Sequence, residues 1–133
     1  MKKVSRLFLP LIIFCLVTLA AFAQKTNDAV SSAGELLNRG DIRGAISILD
    51  KAVKKKKDLL EVYKMRSFLR LMVGDFEGGL SDLNNAVEIK SDDGELYEIR
   101  AWRRLDLRQD NALILKDLDS AIAYGRKIEK NYG

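Results

Sequence analysis

The chain repeats one pattern at a fixed distance. Residues 40–53 return as residues 74–87, which lie 34 positions later without a gap. A weaker copy at residues 109–122 follows 35 positions after the second. Units of this length are helical hairpins that cannot bury their apolar faces alone, so several must stack to share a core. We therefore expect an all-α chain that forms a short α-solenoid.

Apolar residues at three- and four-residue spacing, separated by Gly-Asp or Gln-Asp turns, predict six helices. The predicted bounds are about 26–39, 42–55, 60–73, 76–90, 94–107 and 111–129. In pairs they form three repeats at about 26–59, 60–93 and 94–128. The second helix of each pair carries an apolar stripe that we expect to be buried. This stripe includes Val53, Phe76, Val87 and Ile122. Asp41, Asp75 and Asp110 precede these helices and are expected to cap them.

The first 23 residues have the composition of an export signal. Lys2, Lys3 and Arg6 precede an apolar run, and residues 21–23 form a small-x-small cleavage pattern before Gln24. The run is interrupted by a proline and is shorter than the roughly 20 residues of a spanning helix. We predict a signal peptide at 1–23 and an exported domain at 24–133, periplasmic or secreted, that meets a membrane only before cleavage. An uncleaved membrane anchor is the alternative.

Charge and residue types exclude several functions. The chain has 23 Lys and Arg against 19 Asp and Glu, and cleavage would remove three of the basic residues, leaving a net charge of +1. Such a balance gives little attraction to nucleic acid, so we expect no nucleic-acid partner. Histidine is absent, and Cys15 is the only cysteine and lies in the predicted signal. Without these residues in the exported domain, we predict no catalytic residues, no cofactor, no metal site and no enzyme activity.

The repeats resemble those of the tetratricopeptide repeat (TPR) family. Its 34-residue unit has an early aromatic, a small residue one turn later, a Gly-Asp-aromatic turn and an alanine in the second helix. The middle repeat matches with Tyr63, Ser67, Gly74-Asp75-Phe76 and Ala86. The third matches with Tyr97, Ala101 and Ala121, but its turn has Arg108 or Gln109 for the glycine and one added residue. The first has Ala29 for the aromatic. The resemblance covers about residues 26–128, and a generic helical-hairpin array is the alternative.

The resemblance implies a protein-binding module, in which the first helices of the repeats line a concave groove for an extended peptide or a partner helix. Transferred onto this chain, the groove contains Lys64, Met65, Phe68, Met72, Glu98, Ile99 and Trp102. Phe68 and Trp102 are expected to stack as an anchor, unless either ring fills the core between repeats. Some family members hold a partner's C-terminal carboxylate with Lys and Asn. Val30 and Gly34 stand at those places here, which disfavours that mode.

Two further choices remain open from the sequence. The arginines of the second and third repeats are predicted to pair with acids between helices, and a basic strip that faces a partner is the alternative. The residues concerned are Arg66, Arg70, Arg100, Arg103 and Arg104, with Asp82, Glu88 and Asp117 as predicted acceptors. We predict an exported adaptor or assembly factor with a protein or peptide partner. The alternative is a structural subunit that self-associates or stacks in a larger envelope complex without a peptide ligand.

Overall fold

A computed structural model of the protein describes the backbone of residues 28–132 and the side chains of residues 29–125. In this part the chain forms six helices, which are α1 (Asp28–Asn38), α2 (Ile42–Lys54), α3 (Leu59–Met72), α4 (Phe76–Ile89), α5 (Gly94–Asp106) and α6 (Asn111–Tyr132). The predicted all-α fold is confirmed, and the helices lie close to their predicted bounds. Each packs against the next along the chain, and α1 also contacts α3. The predicted signal peptide lies outside the described residues.

The turns inside the first two repeats are built identically. Gly40 and Gly74 have φ of 81° and 82°, in the left-handed region that glycine adopts without steric cost. The next residue, Asp41 or Asp75, donates its backbone N–H to the carbonyl five residues earlier, at 2.8 Å in both turns. Its carboxylate then accepts from the N–H of Gly44 or Gly78, at 2.8 and 2.9 Å. The predicted aspartate caps of α2 and α4 are therefore confirmed.

The third turn keeps the same backbone without its glycine. Arg108 has φ of 51° and stands at the position of Gly40 and Gly74. Gln109 donates its N–H to the carbonyl of Arg104 at 2.9 Å, as Asp75 does to Arg70. Asp110 is therefore the added residue, and its carboxylate accepts from the N–H of Ala112 at 2.9 Å. The insertion lies in the turn and leaves the helices of the third repeat in register.

The core consists of apolar clusters between successive helices. The first joins α1, α2 and α3 through Ala33, Ala45, Leu49, Ala52, Val62 and Leu69. The second joins α3, α4 and α5 around Ala86, Val87 and Leu96. Alanines at the contact points allow the helices to approach closely. Gly79 has the same effect, because a methyl group there would lie only 3.1 Å from the Leu71 side chain. Each cluster needs side chains from more than one repeat, which explains the stacking.

Two residues of the predicted buried stripe are exposed. Phe76 is the first residue of α4 and lies at the edge of the helix pair, so its ring faces solvent. Ile122 lies on a side of α6 that no helix covers within the described residues, whereas its equivalent Val87 packs against α5. Both assignments to the buried stripe were wrong for this reason. Over residues 28–132, no helix combines the length and the apolar character that crossing a membrane requires.

Candidate functional site

Arg66 of α3 connects three helices. It donates from Nε and Nη2 to the two carboxylate oxygens of Asp82 on α4, at 2.9 and 2.6 Å. Its Nη1 donates to Asp50 on α2 at 2.8 Å. The guanidinium and Asp82 are buried, and this bidentate ion pair gives each charged group a partner of opposite charge. The hydrogen bond to Asp82 raises the pKa of Arg66 above its ordinary value, although burial acts in the opposite direction.

Arg100 of α5 repeats this arrangement one repeat later. It donates from Nε and Nη2 to both oxygens of Asp117 on α6, at 2.9 and 2.6 Å. Its Nη1 donates to Asn84 on α4 at 3.2 Å. The donors are 34 residues apart, and the acceptors Asp82 and Asp117 are 35 apart because of the inserted residue. We call these six residues, Asp50, Arg66, Asp82, Asn84, Arg100 and Asp117, the arginine network.

A second arginine supports each buried aspartate. Arg70 donates from Nη1 to the Gly78 carbonyl and to Asp82, each at 3.1 Å. Arg104 donates to the equivalent carbonyl of Leu113 at 3.1 Å, and its Nε lies 3.4 Å from Asp117. Each aspartate therefore faces two cations, which holds the second helix of a repeat against the first.

The predicted pairing of arginines with acids between helices is confirmed for four of the five. Arg103 differs because it pairs with Asp106 on its own helix at 2.6 Å. Glu88, which was predicted as an acceptor, is exposed and takes part in no ion pair with the described residues. The alternative of a partner-facing strip is wrong for Arg66 and Arg100, because their charged groups point into the protein.

Tyrosines add to the same contacts. The guanidinium of Arg66 lies 5.6 Å from the ring centre of Tyr63, and that of Arg100 lies 5.3 Å from Tyr97. Tyr97 also stacks on Tyr124 of α6, with ring centres 5.6 Å apart. Burial raises the pKa of the Tyr97 phenol, and the neighbouring Tyr124 acts in the same direction. The aromatic of the repeat therefore packs on the arginine that joins adjacent repeats.

Three of the four predicted groove residues of α3 lie along one side of that helix. Lys64, Phe68 and Met72 are spaced by four residues, which places them one above another. Phe68 is 54% exposed and Met72 is exposed as well. Met65 instead packs against the first core cluster, where a methyl on Gly34 of α1 would lie 3.9 Å from its Cε. The ring of Phe68 therefore faces solvent and does not fill the core.

The predicted groove residues of α5 follow the same pattern. Glu98 and Trp102 are exposed and lie one turn apart, and Ile99 beside them is half-buried. Trp102 is 56% exposed, almost the same fraction as Phe68 at the equivalent position. The first helices of the second and third repeats thus present one large aromatic each to solvent.

The predicted stack of Phe68 on Trp102 is wrong. The two rings make no contact with each other, and each is surrounded largely by solvent. The reason is that α3 and α5 are not among the helix pairs that pack closely in the structure, because α4 lies between them in the order of contacts.

Some contacts were not predicted from the sequence. The acceptors Asp50 and Asn84 were missed, although both lie at the same place in their repeats as Asp119 does in the third. The Tyr97–Tyr124 stack joins residues that no repeat offset relates. Across the described part of the chain, no cluster of three or more metal-ligating side chains occurs.

Two solved structures have a similar helix arrangement. The chain is similar to the second TPR of Spaghetti (RPAP3) bound to the HSP90 peptide SRMEEVD, with a TM-score of 0.63, 15% identity, and coverage of 76% of this chain and 90% of that one. It is also similar to the TPR2AB domain of yeast Sti1 in complex with pHSP90, with a TM-score of 0.69, 18% identity, and coverage of 97% and 51%. No protein-family model and no curated protein matches the sequence. Together with the six paired helices, these similarities show that the chain has the tetratricopeptide repeat fold.

Proposed function

We propose that the protein is a non-enzymatic, exported interaction module that binds an extended peptide or a partner helix along α1, α3 and α5. One observation carries the proposal, which is that Phe68 and Trp102 are each more than half exposed at equivalent positions of successive repeats. Exposed aromatic side chains often mark binding sites, because aromatic residues buried in an interface frequently contribute most of its binding free energy. Their repetition at one repeat spacing favours a ligand that runs across both helices.

The surroundings of the two rings define the chemistry of the ligand. Met72 extends the apolar surface on α3, and its flexible side chain adapts to ligands of different shape. Lys64 and Glu98 lie one turn before the rings and carry opposite charges, so they would orient a ligand that has charges of its own. Because each ring is only about half exposed, its complete burial would contribute roughly 1–1.5 kcal/mol. We therefore propose a ligand with apolar anchors flanked by charged residues.

The ligand class is further supported by the structural neighbours. The Spaghetti domain is bound to an HSP90 peptide, and the Sti1 domain is in complex with pHSP90, so this fold accommodates such ligands in other proteins. In this chain Val30 and Gly34 of α1 offer no side-chain cation or amide. We therefore propose recognition through apolar side chains, not through a C-terminal carboxylate.

The test uses Trp102, which is the only tryptophan of the chain and reports on its own burial. Peptides are selected from a random displayed library on the purified protein and titrated while Trp102 emission is recorded. We expect a blue shift at saturation, because the ring leaves water. Phe68→Ala and Trp102→Ala are expected to weaken a labelled selected peptide by about tenfold or more in fluorescence anisotropy.

The matched control is Phe76→Ala. Phe76 is also an exposed aromatic, but it begins α4 and lies on a second helix of a repeat. Its substitution should leave peptide affinity unchanged. The groove proposal is abandoned if the selected peptides bind Phe68→Ala and Trp102→Ala as tightly as the wild type.

A structural subunit that self-associates is the second candidate. It is favoured by the exposed Leu115 and Ile122 on α6, because their equivalents on α4, Leu80 and Val87, are buried. Sedimentation of the purified protein distinguishes the candidates. A concentration-dependent oligomer that Leu115→Ser and Ile122→Ser dissolve would support the subunit, and a monomer at all concentrations would support the peptide-binding module.

Export is proposed from residues 1–23 alone. Mass spectrometry of the protein expressed in a bacterial host tests it, with an envelope or medium fraction whose chain begins at Gln24 as the expected result. A full-length chain confined to the cytosol would contradict export and leave the groove proposal unaffected.

A further inference from the structure

One side of α6 is equivalent to the sides of α2 and α4 that pack against the first helix of the next repeat. It contains Leu115, Asp119 and Ile122, whose spacing of four and three residues puts them on one side of the helix. We call these three residues the α6 outer face. The equivalent residues are Leu80, Asn84 and Val87 on α4, and Ile46, Asp50 and Val53 on α2.

The apolar members of these sets differ sharply in burial. Leu80 and Val87 are 7% and 6% exposed, whereas Leu115 and Ile122 are 60% and 52% exposed. On α2, Ile46 and Val53 pack against the first core cluster. A shallow groove runs along α6 beside Leu115 and Asp119. The α6 outer face therefore leaves in water the apolar surface that the earlier repeats bury, and covering it would be favourable.

The polar member shows what kind of group is missing. Asp50 accepts from Nη1 of Arg66 at 2.8 Å, and Asn84 accepts from Nη1 of Arg100 at 3.2 Å. In each case the donor comes from the first helix of the next repeat. Asp119 is exposed and makes no hydrogen bond or ion pair with any residue that the structure describes. Asp119 therefore stands at the position of the acceptors Asp50 and Asn84, but no arginine of the described residues binds it.

We propose that the α6 outer face binds an amphipathic helix of another protein, and that this helix donates an arginine to Asp119. The donors in the protein define the pattern to expect in the partner. Arg66 follows the buried Val62 by four residues and Tyr63 by three. Arg100 follows Leu96 and Tyr97 at the same spacing. The partner helix therefore carries an apolar residue, an aromatic, two further residues and an arginine.

Charge complementarity also favours another protein over a head-to-tail copy of this chain. Such a copy would place its α1 on the α6 outer face. Ser32 of α1 stands where α3 and α5 carry Arg66 and Arg100, so it brings no cation to Asp119. Lys116 lies beside Asp119 where α2 and α4 have Ser47 and Ser81, and it would select for an acid near the partner's arginine.

The experiment uses a peptide with the sequence of residues 59–72 of this chain as the probe. Its positions 64 and 68, which lie away from Val62 and Arg66, are crosslinked to hold it helical, since short helices are otherwise marginal. Binding to the purified protein is followed by fluorescence anisotropy. We expect saturable binding that falls by about tenfold or more with Asp119→Lys, and equally with Arg66→Ala in the peptide. Combining Asp119→Arg in the protein with Arg66→Asp in the peptide should restore binding.

Glu88→Lys is the matched control, because Glu88 is an exposed acid on α4 and the charge change is the same. It should leave the affinity unchanged. The proposal is overturned if the peptide shows no saturation up to about 1 mM, or if Asp119→Lys binds it as well as the wild type. It is also overturned if sedimentation shows a dimer of the wild type that Asp119→Lys dissociates, because a second copy would then occupy the face.

Discussion

Gly94 of α5 lies against Gly125 of α6 with almost no space between the two backbones. A methyl group on Gly94 would lie 2.9 Å from the amide nitrogen of Gly125 and 2.8 Å from the carbonyl oxygen of Ala121. Backbone atoms cannot move aside as a flexible side chain can. The close packing of α5 against α6 therefore requires glycine at position 94.

The variant Gly94→Ala is expected to destabilise the protein by roughly 1–3 kcal/mol, because α5 and α6 must separate to admit the methyl. Urea unfolding followed by far-UV circular dichroism measures the change. Gly125→Ala is the matched control, since nothing lies within 4 Å of the Cβ it would add. It should be neutral or stabilise by up to about 1 kcal/mol, as alanine favours helix. Equal destabilisation by both variants would contradict the close approach.

Removal of the carboxylate at Asp82 should be among the most damaging single changes. Asp82→Ala leaves the buried Arg66 without its main partner and Arg70 without one of its acceptors, which we expect to destabilise by about 3–5 kcal/mol. Asp82→Asn keeps one acceptor oxygen and should lose less. Both are measured by chemical unfolding.

The comparison for Asp82 is Asp106→Ala. Asp106 pairs with Arg103 at the surface of α5, so its loss should change stability by less than about 1 kcal/mol. If Asp82→Ala were as mild as Asp106→Ala, the network would not hold the second repeat together.

Arg108 holds a backbone conformation that disfavours its side chain. Its φ of 51° matches the turn that glycine forms in the first two repeats. Arg108→Gly is therefore expected to stabilise the protein by about 0.5–1 kcal/mol in thermal or urea unfolding. Arg108→Ala removes the same charge but keeps a Cβ, so it should not stabilise. A gain that the two variants share would point to charge and not to backbone.

Tyr97 gives the fold a dependence on alkaline pH. Since burial raises the pKa of its phenol, the folded state favours the protonated form over the unfolded state. This contribution is complete below the ordinary pKa of about 10 and is lost as the pH rises through the raised folded pKa. Tyr97→Phe should remove this part of the decline in the thermal midpoint above about pH 10. An unchanged profile in Tyr97→Phe would contradict the effect.

The fold could be predicted because its determinants are local and repeated. Glycine at a left-handed turn followed by an aspartate cap marks the start of α2 and of α4 within the sequence itself. The apolar spacing then identifies which side of each helix is buried. Ile122 was assigned wrongly, because periodicity shows that a side of a helix is apolar but cannot show whether another helix covers it.

The arginine network could be predicted only in part. Arg66 and Asp82 belong to one repeat and lie on adjacent helices, so their pairing follows from charge and proximity. The bond from Arg66 to Asp50 crosses into the preceding repeat, and its position depends on how the repeats are rotated against each other. That rotation is set by packing in the core. For the same reason, the sequence indicates that Phe68 and Trp102 lie on equivalent helices but does not determine whether their rings touch.

The two ends of the stack differ, because α1 has Ser32 where α3 and α5 have Arg66 and Arg100. Each arginine of the network reaches from a later repeat back to an earlier one, and α1 carries no such donor. The first helix of a repeat grafted after α6 could therefore donate an arginine to Asp119. Repeats grafted before α1 would have to supply a new contact. Arrays lengthened from this unit should accordingly be extended more easily after α6 than before α1.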